Sequence, residues 1–207
     1  DFANMRDFET GAHLERMARY SRIIAHAVAP SHGLSDEFVE NIGLFAVLHD
    51  IGKIGIPDHV LLKRGPLDPS ERVVMESHVV KGCELIEKII ADLGLGDVPD
   101  SSVMRNIVAC HHEYLDGSGY PRGLKGDEVP MEARIVAVAD IFDAMTSYRH
   151  YTKGWVVSEA MGALRDMAVQ GKLDASCVSA LEQHLDEIQA VALRYQDDEP
   201  DILATVD

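Results

Sequence analysis

Apolar residues recur at helical spacing along most of this chain, and no stretch of any length alternates with the two-residue period of a strand. Leu14, Met17, Ala18, Ile24 and Ala27 mark a first helix from Thr10 to about Val28, with Arg16, Arg19 and Arg22 assigned to its water-facing side. Ser35 is placed to cap a second helix, from Asp36 to about Leu48. Residues 57–69 hold three prolines and read as a loop with short helical turns. Further helices are expected from Pro69 through His78 to about Gly82 and from Cys83 to Leu93. Ser101 or Ser102 caps another, running to about His111. The last three run from Met131 to Thr146, from the cap Ser158 to about Val169, and from the cap Asp174 to about Tyr195. Between Asp116 and Gly123 turn formers are too dense for regular structure. The pattern has no internal repeat and predicts an all-α fold.

With 207 residues the chain can bury a sizeable core as one domain, expected over 9–195. Residues 1–8 read as a linker entering from an upstream segment, since the first residue is Asp1 and not methionine, and 196–207 as an acidic, flexible tail. No apolar run approaches the ~20 residues of a membrane helix, so no membrane association is expected within this chain. A net charge of −16 argues against a basic face for long nucleic acids, but a small anion remains acceptable where cations reverse the local field. Cys83, Cys110 and Cys177 are odd in number and lack CxxC spacing, as expected of core thiols in a reducing cytoplasm.

Histidine placement carries the chemistry. His49-Asp50 falls where an apolar helix gives way to a loop, offering a neutral nitrogen and an anionic oxygen, with Lys53 three residues on. Glu9 and His13 are four apart and can share a helix face. His111 and His112 point ~100° apart on a helix and serve one site most easily where that helix ends. Asp140 interrupts the apolar run 135–142, where a buried carboxylate needs a cationic partner, either a metal or an arginine such as Arg134 or Arg149. Taken alone, His13 or His78 reads as a satisfied or exposed histidine. Jointly, Glu9, His13, His49, Asp50, His78, His111, His112 and Asp140 exceed what one tetrahedral ion requires and imply a two- or three-metal centre. Histidine with carboxylate and no thiolate suits Fe, Mn, Ni or Zn. Asp143 and Glu113 are expected to support the ligands rather than to bind metal.

The ordered series His49-Asp50 with Gly52-Lys53, then His111-His112-Glu113 and Asp116-Gly117-Ser118-Gly119-Tyr120-Pro121, strongly resembles the HD-GYP domains, the cyclic di-GMP phosphodiesterase branch of the HD metal-dependent phosphohydrolases. The resemblance runs from about Glu9 to Trp155 and takes in 123–126 and 139–144. It implies an HD-superfamily helical bundle with a Gly/Pro-rich loop over a multinuclear metal site, in a bacterial cytoplasm, with a sensor or receiver domain upstream and a homodimer as one allowed assembly. His13, His49, Asp50 and Asp140 match the ligands shared across the superfamily. His78, His111 and His112 match those adding a second metal, with Asp50 bridging, and Glu9 matches the glutamate that permits a third. Fe or Mn is the expected metal. Lys53 matches the lysine near the scissile phosphate, and Tyr120 and Arg149 match dinucleotide contacts. Gly119 and Lys153 are further candidate contacts. The implied reaction is attack of a metal-bridging hydroxide on the phosphodiester, giving linear pGpG, with the choice between pGpG and GMP as end product left open.

One departure stands in the pattern. Similar members read Arg-Pro-Tyr-Lys after the Asp140 helix, whereas this chain has His150 in place of the proline and Thr152 in place of the lysine, with Lys153 next to it. That departure supports an alternative, a catalytically weak module that senses cyclic di-GMP or docks a partner. A general mononucleotide phosphohydrolase is disfavoured by the Gly-Tyr-Pro loop.

Overall fold

The chain is represented by a computed structural model that describes residues 10–92, 101–147 and 156–197. The expected fold class is met: among the described residues every extended element is helical, and the one isolated antiparallel bridge, Asp116 to Lys125, closes the glycine-rich loop. Helix α1 spans Gly11–His32, capped by Thr10, whose hydroxyl accepts from the amide of His13, and ended by Gly33 in the left-handed region at φ 66°. It outruns the expected end near Val28, carrying Pro30 inside its last turn. Helix α2 is Asp36–Phe45, capped by Ser35. The chain then tightens into 3-10 turns at Ala46–Leu48 and Ile51–Gly55, where one continuous helix to Leu48 was expected.

Helix α3 is the single turn Asp58–Leu61, α4 is Pro69–Glu76, and α5 is His78–Asp92. The sequence places the α4–α5 break at Gly82, but it falls at Ser77. There the hydroxyl donates to the carbonyl of Val74, a local bond that competes with the helix ladder. Gly82 lies inside α5 for a different reason: α5 crosses the 51–55 turn almost backbone to backbone. A Cβ on Gly52 would stand 1.9 Å from the carbonyl oxygen of His78 and 2.4 Å from the amide nitrogen of Gly82.

Helix α6 is Ser101–Cys110 and α7 is Met131–Thr146. Helix α8, Val157–Val169, starts before its expected cap Ser158. The final expected helix is two, α9 (Ala175–Gln183, capped by Asp174) and α10 (Leu185–Arg194), parted at His184. Apolar on nearly all sides, α7 is the central strut, as such a helix must be. Its Ile135, Val136, Val138, Phe142 and Met145 are fully buried, and α1 lays Met17, Tyr20 and Ile24 into the same core. Tyr20 meets Phe142 edge to face at 5.8 Å. A second cluster, Ile86, Ile90, Met104 and Val108, joins α5 to α6. No described helix is long and apolar enough to cross a membrane.

Candidate metal centre and active site

The 3-10 turn after α2 brings the amide of His49 to the carbonyl of Ala46 and turns both His49 and Asp50 into the interior. The His49 ring is fully buried, and its Nδ1 donates to the same Ala46 carbonyl at 2.7 Å. Two more histidines at helix ends repeat this arrangement. Nδ1 of His78, at the head of α5, donates to Met75 at 2.7 Å, and Nδ1 of His111, just beyond α6, donates to Ile107 at 3.0 Å. Because a carbonyl can only accept, Nδ1 carries a hydrogen in all three rings, which leaves Nε2 as the nitrogen that can offer a lone pair to the centre.

Those lone pairs face a carboxylate. Asp50 Oδ1 lies 2.8 Å from His78 Nε2 and 3.4 Å from His111 Nε2, while Oδ2 lies 3.5 Å from His49 Nε2. His49 Nε2 is also 3.8 Å from Asp140 Oδ1. Asp50 Oδ1, His78 Nε2 and His111 Nε2 are buried, yet none is aligned for a hydrogen bond. Acceptors packed together in this way need a cation to resolve them, and the donor set fits one. Two groups of ligand atoms, each within 4.8 Å of one another, are formed: Asp50, His78, His111 and His112 in one, and His13, His49 and Asp140 in the other. Arg134, offered by the sequence as a partner for Asp140, instead holds Asp174, Asp127 and the carbonyls of Val129 and Gly126.

The electrostatics favour ligand forms. Burial works to raise the Asp50 carboxyl, but the Lys53 ammonium against it outweighs this and holds it well below the usual carboxylate range. Burial pushes His111 down, and pushes His112 further down with His111 beside it, so both stay neutral with a lone pair available. His13, from α1, donates Nδ1–H to Asp143 Oδ2 at 2.8 Å. Asp143 is held in turn by Arg16, Nε to Oδ1 at 2.6 Å and Nη2 to Oδ2 at 3.0 Å. Arg16 is only 4% exposed, which corrects its assignment to a solvated face. It lies three residues from His13 beside the stripe Met17, Tyr20 and Ile24, and that register was the signal for it.

The glycine-rich loop folds over the His111 side. Buried Glu113 accepts from the amides of Arg122 at 2.7 Å and Leu124 at 3.0 Å, pinning the loop from beneath. Tyr120 donates its amide to the His112 carbonyl, and its ring stacks on His112 at 4.7 Å. A Cβ on Gly119 would lie 2.4 Å from the Tyr114 amide nitrogen, so the close approach this glycine permits is to the chain's own backbone. Among the sequence-predicted site residues, His13, His49, Asp50, Lys53, His78, His111, His112 and Asp140 surround one centre, with Gly119 and Tyr120 beside it. Glu9, Arg149 and Lys153, with Thr152 and His150, lie outside the described residues.

An all-helical domain whose buried centre gathers imidazole nitrogens around a carboxylate is built as a candidate metal-binding domain. The chain belongs to the HD domain family, whose description matches residues 7–177. It is 46% identical over 178 residues to the cyclic di-GMP phosphodiesterase response regulator RpfG of Xanthomonas campestris, covering 85% of this chain and 43% of that protein. A cyclic di-GMP phosphodiesterase of Thermotoga maritima is 40% identical, over 94% of this chain and 50% of its own length. A 3'3'-cGAMP-specific phosphodiesterase of Vibrio cholerae is 37% identical, over 93% and 34% respectively. The chain thus spans a third to a half of the length of these relatives. A solved cyclic GMP-AMP-specific phosphodiesterase of Vibrio cholerae shares the fold, with TM-score 0.54 at 17% identity, over 87% of this chain and 49% of that one.

Proposed function

We propose that this domain hydrolyses cyclic di-GMP to linear pGpG, and onward to GMP, with divalent metal ions. The observation that carries the reading is the pair of adjoining ligand groups, Asp50 of one lying 3.5 Å from His49 of the other, with the Lys53 ammonium on the same carboxylate. Relatives named cyclic di-GMP phosphodiesterases over most of this chain support the substrate. His13, His49 and Asp140 would hold one ion, and Asp50, His78, His111 and His112 a second, with Asp50 between them. Iron or manganese fits this donor set, and Glu9 would serve a third ion. Ions bound there supply Lewis acidity to a phosphoryl oxygen and make water a nucleophile at neutral pH.

The chain's own residues do the rest. Lys53 has a side chain one-quarter exposed, so it can turn from Asp50 toward a non-bridging phosphate oxygen and balance charge that grows during attack. Nδ1–H bonds from His49, His78 and His111 keep the ligand rings oriented through the reaction. Tyr120, stacked on His112, bounds the pocket on the loop side and offers an aromatic edge to a guanine. Gly119 lets the loop approach closely enough to put it there, and Arg149 and Lys153 are assigned to the far rim. In a full-length protein we place the domain in the cytoplasm after an upstream sensor or receiver domain, with dimerisation as an assembly to test. Anaerobically purified protein loaded with Fe(II) or Mn(II) should hydrolyse cyclic di-GMP faster than 3'3'-cGAMP or nucleoside mono- and triphosphates, and Asp50→Ala should abolish turnover. Metal-replete protein that binds cyclic di-GMP and returns it intact is a sensor instead, and one that leaves all cyclic dinucleotides untouched refutes both.

A further inference from the structure

Of the four centre histidines His13, His49, His78 and His111, three are oriented through Nδ1 by carbonyls three or four residues away, on their own stretch of backbone. His13 is the exception. Its Nδ1–H goes to Asp143, 130 residues on, and Asp143 keeps its place through the fork of Arg16. The same guanidinium reaches the other way. Nη1 donates to the carbonyl of Tyr195 at 2.7 Å and Nη2 to Asp197 Oδ2 at 2.9 Å. Asp197 also accepts from the hydroxyl of Thr10, the cap whose oxygen receives the His13 amide. The Tyr195 ring lies under the Arg19 guanidinium, 4.2 Å from its centroid. The segment 195–197 is therefore tied to the first three turns of α1 at Thr10, Arg16 and Arg19, on both sides of His13 in the sequence.

We propose that Arg16 is a positioning residue for the His13 metal subsite and that residues 195–197 form the strap that locks it. This inference rests on the metal-centre reading above. Arg16 presents its donors in a rigid plane, so a guanidinium fixed at one edge by Tyr195 and Asp197 presents its other edge to Asp143 in one orientation. Asp143 so held fixes the tautomer and tilt of His13 and raises its basicity as a ligand. With the strap loose, Arg16 can swing within its pocket, Asp143 follows, and His13 no longer aims Nε2 at the point shared with His49 and Asp140. No hydrogen bond of this relay ends on Asp50, His78, His111 or His112, so a disturbance of it falls first on the His13 group and reaches the other only through the His49–Asp50 contact.

The test is titration of metal-stripped protein with Co(II), followed by calorimetry and by the visible absorption of the bound ion. His13→Ala identifies which binding step and which absorption band belong to its subsite. Arg16→Lys keeps the charge but loses the fork, and should weaken that same step by up to about 100-fold, with a much smaller effect on the other. Asp197→Asn, at a side chain 18% exposed where the fold should tolerate it, should weaken the same step by about tenfold. Arg22→Gln, which loses only a surface pair with Glu40, should change neither step. Equal weakening of both steps would mean that Arg16 merely supports the fold and would overturn the proposal, as would an unchanged His13 step in either variant. Wild-type protein that takes up no Co(II) removes the metal reading and this proposal together. Wild type that takes up two ions, with Arg16→Lys indistinguishable from it, removes this proposal alone.

Discussion

Gly52→Ala adds one methyl group at the tightest contact in the site. The new Cβ would stand 1.9 Å from the His78 carbonyl oxygen and 2.4 Å from the Gly82 amide nitrogen, both backbone atoms of α5 that no rotamer change can move. Restoring ordinary contact at about 3.4 Å requires α5 and the 51–55 turn to part by about 1.5 Å. Overpacking of a core costs about 1–3 kcal/mol, occasionally more, and a clash against backbone belongs at the upper end. Taking about 3 kcal/mol at 2–4 °C per kcal/mol, the midpoint of thermal unfolding should fall by roughly 6–12 °C. The functional cost is larger, because His78 heads α5 and faces Asp50 at 2.8 Å, so the parting opens the ligand group that spans them. A misplacement on the order of 1 Å costs about 10²-fold in rate. Gly82→Ala is the internal control. Its Cβ would meet a methyl group of buried Val108 at 2.8 Å and the Gly52 amide nitrogen at 3.3 Å, contacts milder than 1.9 Å against backbone, and alanine regains up to ~1 kcal/mol of helix propensity. Denaturant unfolding and metal titration of both variants decide the matter. Gly52→Ala matching wild type in both, or Gly82→Ala proving the more damaging, would refute the backbone-contact account.

Chelation should destabilise the domain, since the crowded acceptors around Asp50 lose their cation. Each ion at 100 times its Kd contributes about 2.7 kcal/mol, or roughly 5–11 °C, and a melting curve indifferent to chelator would contradict it. Glu113→Gln presents an amide donor where two backbone N–H groups were accepted, costing about 1–3 kcal/mol. It should raise KM for cyclic di-GMP with metal stoichiometry intact; loss of metal at unchanged KM would be the wrong outcome. Asp174→Ala removes the cap of α9 and the partner of Arg134, costing about 0.5–2 kcal/mol at neutral pH. Burial works to raise the Asp174 carboxyl, but bonds from Ser176, Arg134 and backbone amides outweigh it and depress the folded value. Its contribution is therefore complete above the unfolded value of about 3.9 and is lost as pH falls through the lower folded value. The gap between wild type and variant in urea titrations should close in that acidic window and stay constant above it.

What was legible in the sequence divides by the range of the interactions responsible. The helices, most of their caps and the irregular 116–123 loop follow from local periodicity and turn chemistry. The candidate ligand residues stood out because carboxylates and imidazoles at helix ends, or inside an apolar helix as Asp140 is, conflict with their surroundings unless a cation resolves the conflict. The breaks at Ser77 and His184 were missed because each depends on a side chain bonding back to a carbonyl of its own helix. Gly82 misled because glycine in a helix looks like a terminus when it is in fact the site of a close crossing. Arg16 was misread for the opposite reason: an arginine on a helix is ordinarily solvated, and what buries it lies 127 and 181 residues away.

That same division of range sets how the two halves of the centre respond to perturbation. His49, His78 and His111 carry their orientation with them, since each Nδ1–H bonds a carbonyl fixed by the same turn that places the ring. A change that leaves those turns intact leaves their Nε2 lone pairs aimed as before. His13 borrows its orientation through two side chains and the segment after α10, so an event that disturbs residues 195–197 should reach the His13 group before the other. Asp50 lies in the locally determined group yet 3.5 Å from His49 of the second. Loss of the His13 subsite alone would thus leave a folded domain with one ion, beside an Asp50 still paired with Lys53, a state that the metal titrations separate from simple unfolding.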